Sequence, residues 1–153
     1  MPSNNLIVNK TSGSFLAIDS SDPEAGDVVQ ILPLSFGKKV SAYWVINTVK
    51  GGQNITLQNS PKLFLDLDAN SEKNVINGTR LVVNSTPNFA NSNLWSIADI
   101  PQAIISLCGA FKVLDSGETP YSQVWQPLLN AHQEWSITSI QQLEGKIDKS
   151  LLM

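Results

Sequence analysis

The chain says nearly the same thing three times, and a threefold internal repeat restricts its fold more than any other feature. One short phrase begins at residues 15, 64 and 111: Phe15-Leu-Ala-Ile-Asp19, Phe64-Leu-Asp-Leu-Asp68 and Phe111-Lys-Val-Leu-Asp115. Small turn-forming residues precede each phrase, as in Ser12-Gly13-Ser14 and Ser60-Pro61-Lys62. A second apolar run follows each: Val28 to Leu32, Arg80 to Val83 and Ser122 to Trp125. Every copy closes on a tryptophan and an aliphatic residue, at Trp44-Val-Ile46, Trp95-Ser-Ile97 and Trp135-Ser-Ile137.

The runs are short, β-branched or aromatic, and separated by Gly, Asp, Asn, Ser and Pro, the signature of an all-β chain. Leu6 to Val8, Ile55 to Leu57 and Ala103 to Leu107 add an opening strand to each copy, so about twelve strands are expected. Three copies are too few for a propeller, which normally needs four blades. They suit a barrel whose hairpins cap one end. The expectation is therefore a single β-trefoil domain over 1–153 with pseudo-threefold symmetry. Its repeats fall near 1–50, 51–100 and 101–140, with an extension at 141–153.

Charge and cysteine count narrow the function. A net charge of -3 leaves no basic footprint for nucleic acid. No apolar run is long enough to span a bilayer, and no signal peptide is legible at the start. With Cys108 as the only cysteine, no intrachain disulfide can form, which agrees with a cytoplasmic location. The sequon asparagines Asn9, Asn54, Asn77 and Asn84 are then read as bare, polar turn residues. One histidine and one cysteine make a zinc site hard to assemble, and no catalytic or phosphate-binding motif supports an enzyme or a cofactor.

The closing motif carries a family resemblance. Gln133-Glu-Trp135 resembles the Q-x-W signature of ricin-B-like lectins, with Ala42-Tyr-Trp44 and Asn93-Leu-Trp95 as degenerate copies. The segments at 14–19 and 62–68 resemble the family's G-x-x-L-D-V, and Asn77-Gly-Thr79 its N-G-T. Without disulfides, the chain is most similar to the cytosolic lectins of mushrooms. The resemblance implies a sugar site in each copy: a carboxylate after the second strand, an aromatic on the third, and an amide just before the tryptophan. A sugar has hydroxyls and an apolar C–H face, so it needs that mixture of acceptor and platform.

Carried onto this chain, the resemblance assigns Asp66 to the acid position of the second copy, with Asp68 nearby. Asn84 stands there in place of the aromatic, Phe89 is a substitute platform, and Ser92 and Asn93 fall at the amide positions. In the third copy Trp125 is the platform and His132, Gln133 and Asn130 are the polar residues. Val113 takes the acid position and Asp115 serves from two residues later. The first copy has Ala17 and Leu32 at these positions and only Asp19 as an acid.

Simpler readings compete. Asp19, Asp68 and Asp115 stand where strands enter turns, where Asp caps backbone N–H groups. Asp66 lies inside a strand phrase, which propensity disfavours, so a functional role is expected. The three repeated tryptophans are core. Trp125 has no aromatic counterpart, which fits a ligand platform or a subunit interface. Phe and the aliphatic three residues later fall on opposite faces of a regular strand, so either the strand bulges or the two pack in different layers.

The expected function is a non-catalytic lectin for galactose or N-acetylgalactosamine glycans, with shallow sites in the second and third copies. The alternative is a trefoil protease inhibitor acting through the loop Asn84 to Asn91, which carries Phe89. A scaffold without ligand is the third reading. Leu151-Leu-Met153 is read either as the end of a solvated extension or as a contact for a homodimer.

Overall fold

The computed structural model describes residues 4–33, 39–99, 102–117, 121–128 and 130–139. Among the described residues each copy forms four strands and none forms an α-helix. The first copy holds β1 (Asn4–Asn9), β2 (Phe15–Ala17), β3 (Gln30–Leu32) and β4 (Trp44–Val49). The second holds β5 (Gly52–Leu57), β6 (Phe64–Leu67), β7 (Leu81–Asn84) and β8 (Trp95–Asp99). The third holds β9 (Gln102–Ser106), β10 (Val113–Asp115), β11 (Gln123–Trp125) and β12 (Trp135–Ser139).

The first and fourth strands of the copies make the barrel, every pair antiparallel: β12 on β1, β1 on β4, β4 on β5, β5 on β8, and β8 on β9. Between β9 and β12 the ring is joined by Gln102, whose Oε1 accepts from Ile137 N at 3.0 Å. Gln53 does the same for Ile97 N at 3.2 Å in the preceding copy. The hairpins β2–β3, β6–β7 and β10–β11 cap one end. They tie to one another in a cycle: Val29 N to Leu81 O at 2.9 Å, Val124 N to Thr79 O at 2.9 Å, and Ser122 N to Val29 O at 3.1 Å. This is a β-trefoil.

Three tryptophans fill the centre. Trp44, Trp95 and Trp135 are 0%, 0% and 1% exposed. Each indole must also satisfy its one N–H donor, and each does so on a strand carbonyl. The acceptors are Leu16 O at 2.8 Å, Leu65 O at 3.1 Å and Leu114 O at 3.1 Å. That bond fixes which residues correspond between copies: Leu16, Leu65 and Leu114 are equivalent. Strand pairing agrees, because Phe15, Phe64 and Val113 face Leu32, Asn84 and Trp125.

The third copy therefore sits two residues out of step with its phrase. Val113, not Phe111, is the counterpart of Phe15 and Phe64. Asp115 is the counterpart of Asp66 and Ala17, and Gly117 that of Asp19 and Asp68. The sequence alignment that put Val113 at the acid position is corrected by this register. Phe111 itself lies before the strand, exposed.

The question of strand faces also resolves. β6 pairs with β7 without a break from Phe64↔Asn84 to Leu67↔Leu81, so no bulge intervenes. Leu65 and Leu67 enter the main core, and Asp66 stands on the other face. In the first copy Leu16 and Ile18 join the core while Phe15 and Ala17 belong to a separate apolar cluster. The Phe and its later aliphatic pack in different layers.

Three sequon asparagines use their amides structurally. Asn9 is buried, accepting from Thr11 N and Ser12 N at 3.1 and 3.2 Å and donating to His132 O at 3.1 Å. Asn77 Oδ1 accepts from Gln126 N at 2.8 Å, fastening the second copy to the third, and Asn84 bonds Asp66. The extension 141–153, including the apolar end read as a dimer contact, lies outside the described residues.

Candidate functional site

The three equivalent positions have three different fates. In the first copy, Ala17, Leu32 and Ala42 stand where the third copy has Asp115, Trp125 and Gln133. With Leu6 they form a buried apolar cluster, and Val8, Phe15 and Val40 pack against it. Among the described residues, the side chains of this cluster offer a polar ligand no hydrogen-bonding group. Asp19 is exposed, in an acidic groove with Asp22, Glu24 and Asp27.

In the second copy the carboxylate is present but occupied. Asp66 is 0% exposed. Its Oδ1 accepts from Leu67 N at 2.9 Å, and its Oδ2 from Asn84 Nδ2 at 2.8 Å and Asn88 N at 3.0 Å. Asn88 Nδ2 donates in turn to Leu67 O at 2.8 Å, folding the 84–91 loop over the acid. Asn84, read as the occupant of the platform position, is thus a donor to Asp66. Phe89 is half-buried against the core, and Ser92 Oγ accepts from its N–H at 3.2 Å. Asn93 occupies the position of Gln133 and is half-buried, but among the described residues Asp66 takes its bonds from Leu67, Asn84 and Asn88. Asp68 is exposed, its N–H on Arg80 O at 2.9 Å.

The third copy is open. A cleft of about 540 Å³ has Asp115, Gln123 and Trp125 on the hairpin β10–β11 and Gly117 just beyond it. Leu128, Asn130 and His132 form the other wall. The volume falls within the range of small-molecule sites. Asp115 is 7% exposed and, among the described residues, held by three donors. Gly117 N and Gln123 Nε2 reach its Oδ1 at 2.7 and 3.4 Å, and Gln133 Nε2 reaches its Oδ2 at 3.1 Å.

Gln133 is buried and serves as a strut between the walls. Its Oε1 accepts from Leu128 N at 2.8 Å, and its Nε2 also donates to Gln126 O at 2.9 Å. The wall itself is a 3-10 turn at Ala131–Gln133, whose preceding Asn130 accepts from His132 N at 3.1 Å. His132 is exposed, with its Nδ1 3.1 Å from Ser116 Oγ, and lines the cleft. Trp125 is half-buried and lines the cleft, as a stacking platform would. Gly117 has φ 61°, and a Cβ there would meet the Gln123 amide at 2.8 Å, so glycine leaves room for that amide.

Of the sequence candidates, the fold brings Asp115, Trp125, Asn130, His132 and Gln133 into one place. It keeps Asp66, Asn84, Phe89 and Asn93 apart in a filled second copy, and leaves Asp19 and Asp68 on the surface. Gln123, Gly117, Ser116 and Leu128 were not anticipated. Gln123 was findable, since it lies two residues before Trp125 and so on the same strand face.

The sequence matches no protein-family model and no curated protein. Solved structures do resemble it. A ricin B-like lectin from Macrolepiota procera, in complex with lactose, superposes with a TM-score of 0.67 at 20% identity, over 91% of this chain and 97% of that one. The C-half of an earthworm R-type lectin, in complex with GalNAc, gives 0.63 at 18% identity, over 90% and 99%. An exo-β-1,3-galactanase from Clostridium thermocellum gives 0.68 at 25% identity, where 90% of this chain covers 30% of the enzyme. Strand order, the tryptophan-centred core and these likenesses agree: the chain has the ricin-B-like β-trefoil fold.

Proposed function

We propose that this chain is a carbohydrate-binding domain with its working site in the third copy. One observation carries the reading: a carboxylate clamped by Gln133 and a half-buried tryptophan share the only one of three equivalent positions that is open among the described residues. The Asp115 oxygens accept sugar hydroxyls, Trp125 takes the pyranose C–H face, and Gln123, Asn130 and His132 supply further polar contacts. Among the described residues the lining brings one carboxylate to the ligand, and the reading is a site for binding rather than for bond cleavage.

Galactose or N-acetylgalactosamine at the end of a glycan is the proposed ligand. Support comes from the lactose and GalNAc complexes of two structurally similar lectins and from the Q-x-W resemblance. A lone shallow site of this kind binds at roughly millimolar strength. The protease-inhibitor reading loses its contact residue, because Phe89 packs on the core. A glycan array probed with the labelled chain, with free lactose as competitor, tests the proposal. Signal on terminal galactose or N-acetylgalactosamine that lactose removes is the expected result. Signal on other sugars discards the specificity, and a blank array discards the function.

A further inference from the structure

Phe111 is 80% exposed, and its φ is 55°. Folding favours neither property. An exposed ring gains little from burial, and the left-handed region crowds a Cβ, which is why glycine usually occupies it. The sister loops show the ordinary solutions. Asn9 N donates to Ser14 O, Leu57 N to Leu63 O and Ser106 N to Lys112 O, so the residues just before these acceptors correspond. They are Gly13, with φ 69°, then Lys62, then Phe111.

A strained, exposed aromatic kept where the fold gains nothing from it indicates contact with something outside the chain. Its place says what. Phe111 is two residues before Val113, the β10 residue that faces Trp125. Two residues span at most about 7 Å of backbone. The same short strand ends at Asp115, the carboxylate of the cleft.

We infer that Phe111 is a second apolar contact, taken by the next residue of an oligosaccharide whose terminal sugar lies in the third-copy cleft. The inference rests on the carbohydrate reading above. Each pyranose along a chain offers an apolar C–H face, so a ring just before the strand that carries Asp115 extends recognition from one sugar to two. Phe111 then determines preference for length rather than for the terminal sugar.

The test compares the unmutated chain with Phe111→Gly and Phe111→Lys, the two residues found at the sister positions. Affinities are measured for galactose and for lacto-N-neotetraose, a galactose-terminated tetrasaccharide, and melting temperatures are taken in parallel. The unmutated chain is expected to prefer the tetrasaccharide, and both variants to lose about fivefold on it, on the order of one aromatic contact. Their galactose affinity should stay unchanged, and Phe111→Gly should melt no lower than the parent.

Equal losses on both ligands, or none on either, overturn the inference while leaving the carbohydrate reading intact. Failure of the unmutated chain to bind either sugar removes the galactose reading and this inference together.

Discussion

Gln133 holds Asp115 by a 3.1 Å bond from Nε2 to Oδ2 while its own Oε1 takes Leu128 N at 2.8 Å. One buried amide therefore sets the position of the carboxylate and the distance between the two walls of the cleft. The Q of the repeat motif is a strut, and what it orients is the acid. Replacing Gln133 by Ala should leave Leu128 N without its acceptor and release Asp115. A lost buried partner costs about 1–3 kcal/mol. Thermal melting should fall and glycan binding should weaken about tenfold or more, read by denaturation and by titration with lactose. A variant that melts lower but binds normally would show that the clamp is structural only.

The two buried aspartates should separate. Asp66 and Asp115 occupy equivalent positions, yet the former is wrapped by Leu67, Asn84 and Asn88. Asp66→Asn should lower stability by about 1.5–3 kcal/mol, the scale of hydrogen bonds to a charged group, with lactose affinity untouched. Asp115→Asn should lower lactose affinity at least tenfold. Denaturant titration and binding measured on the same two variants decide the matter, and the reverse pattern would place the working site in the second copy.

How much of this was legible depends on range. The repeat, the strands and the buried tryptophans are local patterns, and they read directly. The register of the third copy is not local. Phe111 resembles Phe15 and Phe64 in type, but what sets the register is Trp135 Nε1 reaching Leu114 O, 21 residues away. The sequence carries no mark of that bond, so Asp115 was placed two residues late. Likewise Asp66 reads as functional because an acid in a strand is unusual. Only the folded loop shows that Asn88 N, 22 residues on, satisfies it.

The first copy should resist conversion. Ala17 is equivalent to Asp115, but its neighbours Leu6, Leu32 and Ala42 are apolar and buried. Ala17→Asp places a carboxylate among apolar side chains, and an uncompensated buried charge costs about 3 kcal/mol or more. The expected outcome is a large fall in melting temperature with no added sugar site, the number of sites being counted by titration. A second site appearing with normal stability would mean that the apolar cluster rearranges, against the packing seen here.

Among the described residues, Ser116 reaches the cleft through His132. Its Oγ shares a 3.1 Å hydrogen bond with His132 Nδ1, and its N donates to His132 O at 3.0 Å. Asn9 Nδ2 also holds that carbonyl, at 3.1 Å. The backbone bonds survive in Ser116→Ala, so the imidazole stays in the wall but loses its orientation. Removing one ordinary hydrogen bond of about 0.5–1.5 kcal/mol should weaken lactose binding roughly two- to tenfold. His132→Ala should weaken it at least as much. If Ser116 acts through the imidazole, the double variant binds no worse than His132→Ala alone, because the first change has nothing left to orient. Losses that add instead would mean that the serine hydroxyl meets the sugar itself.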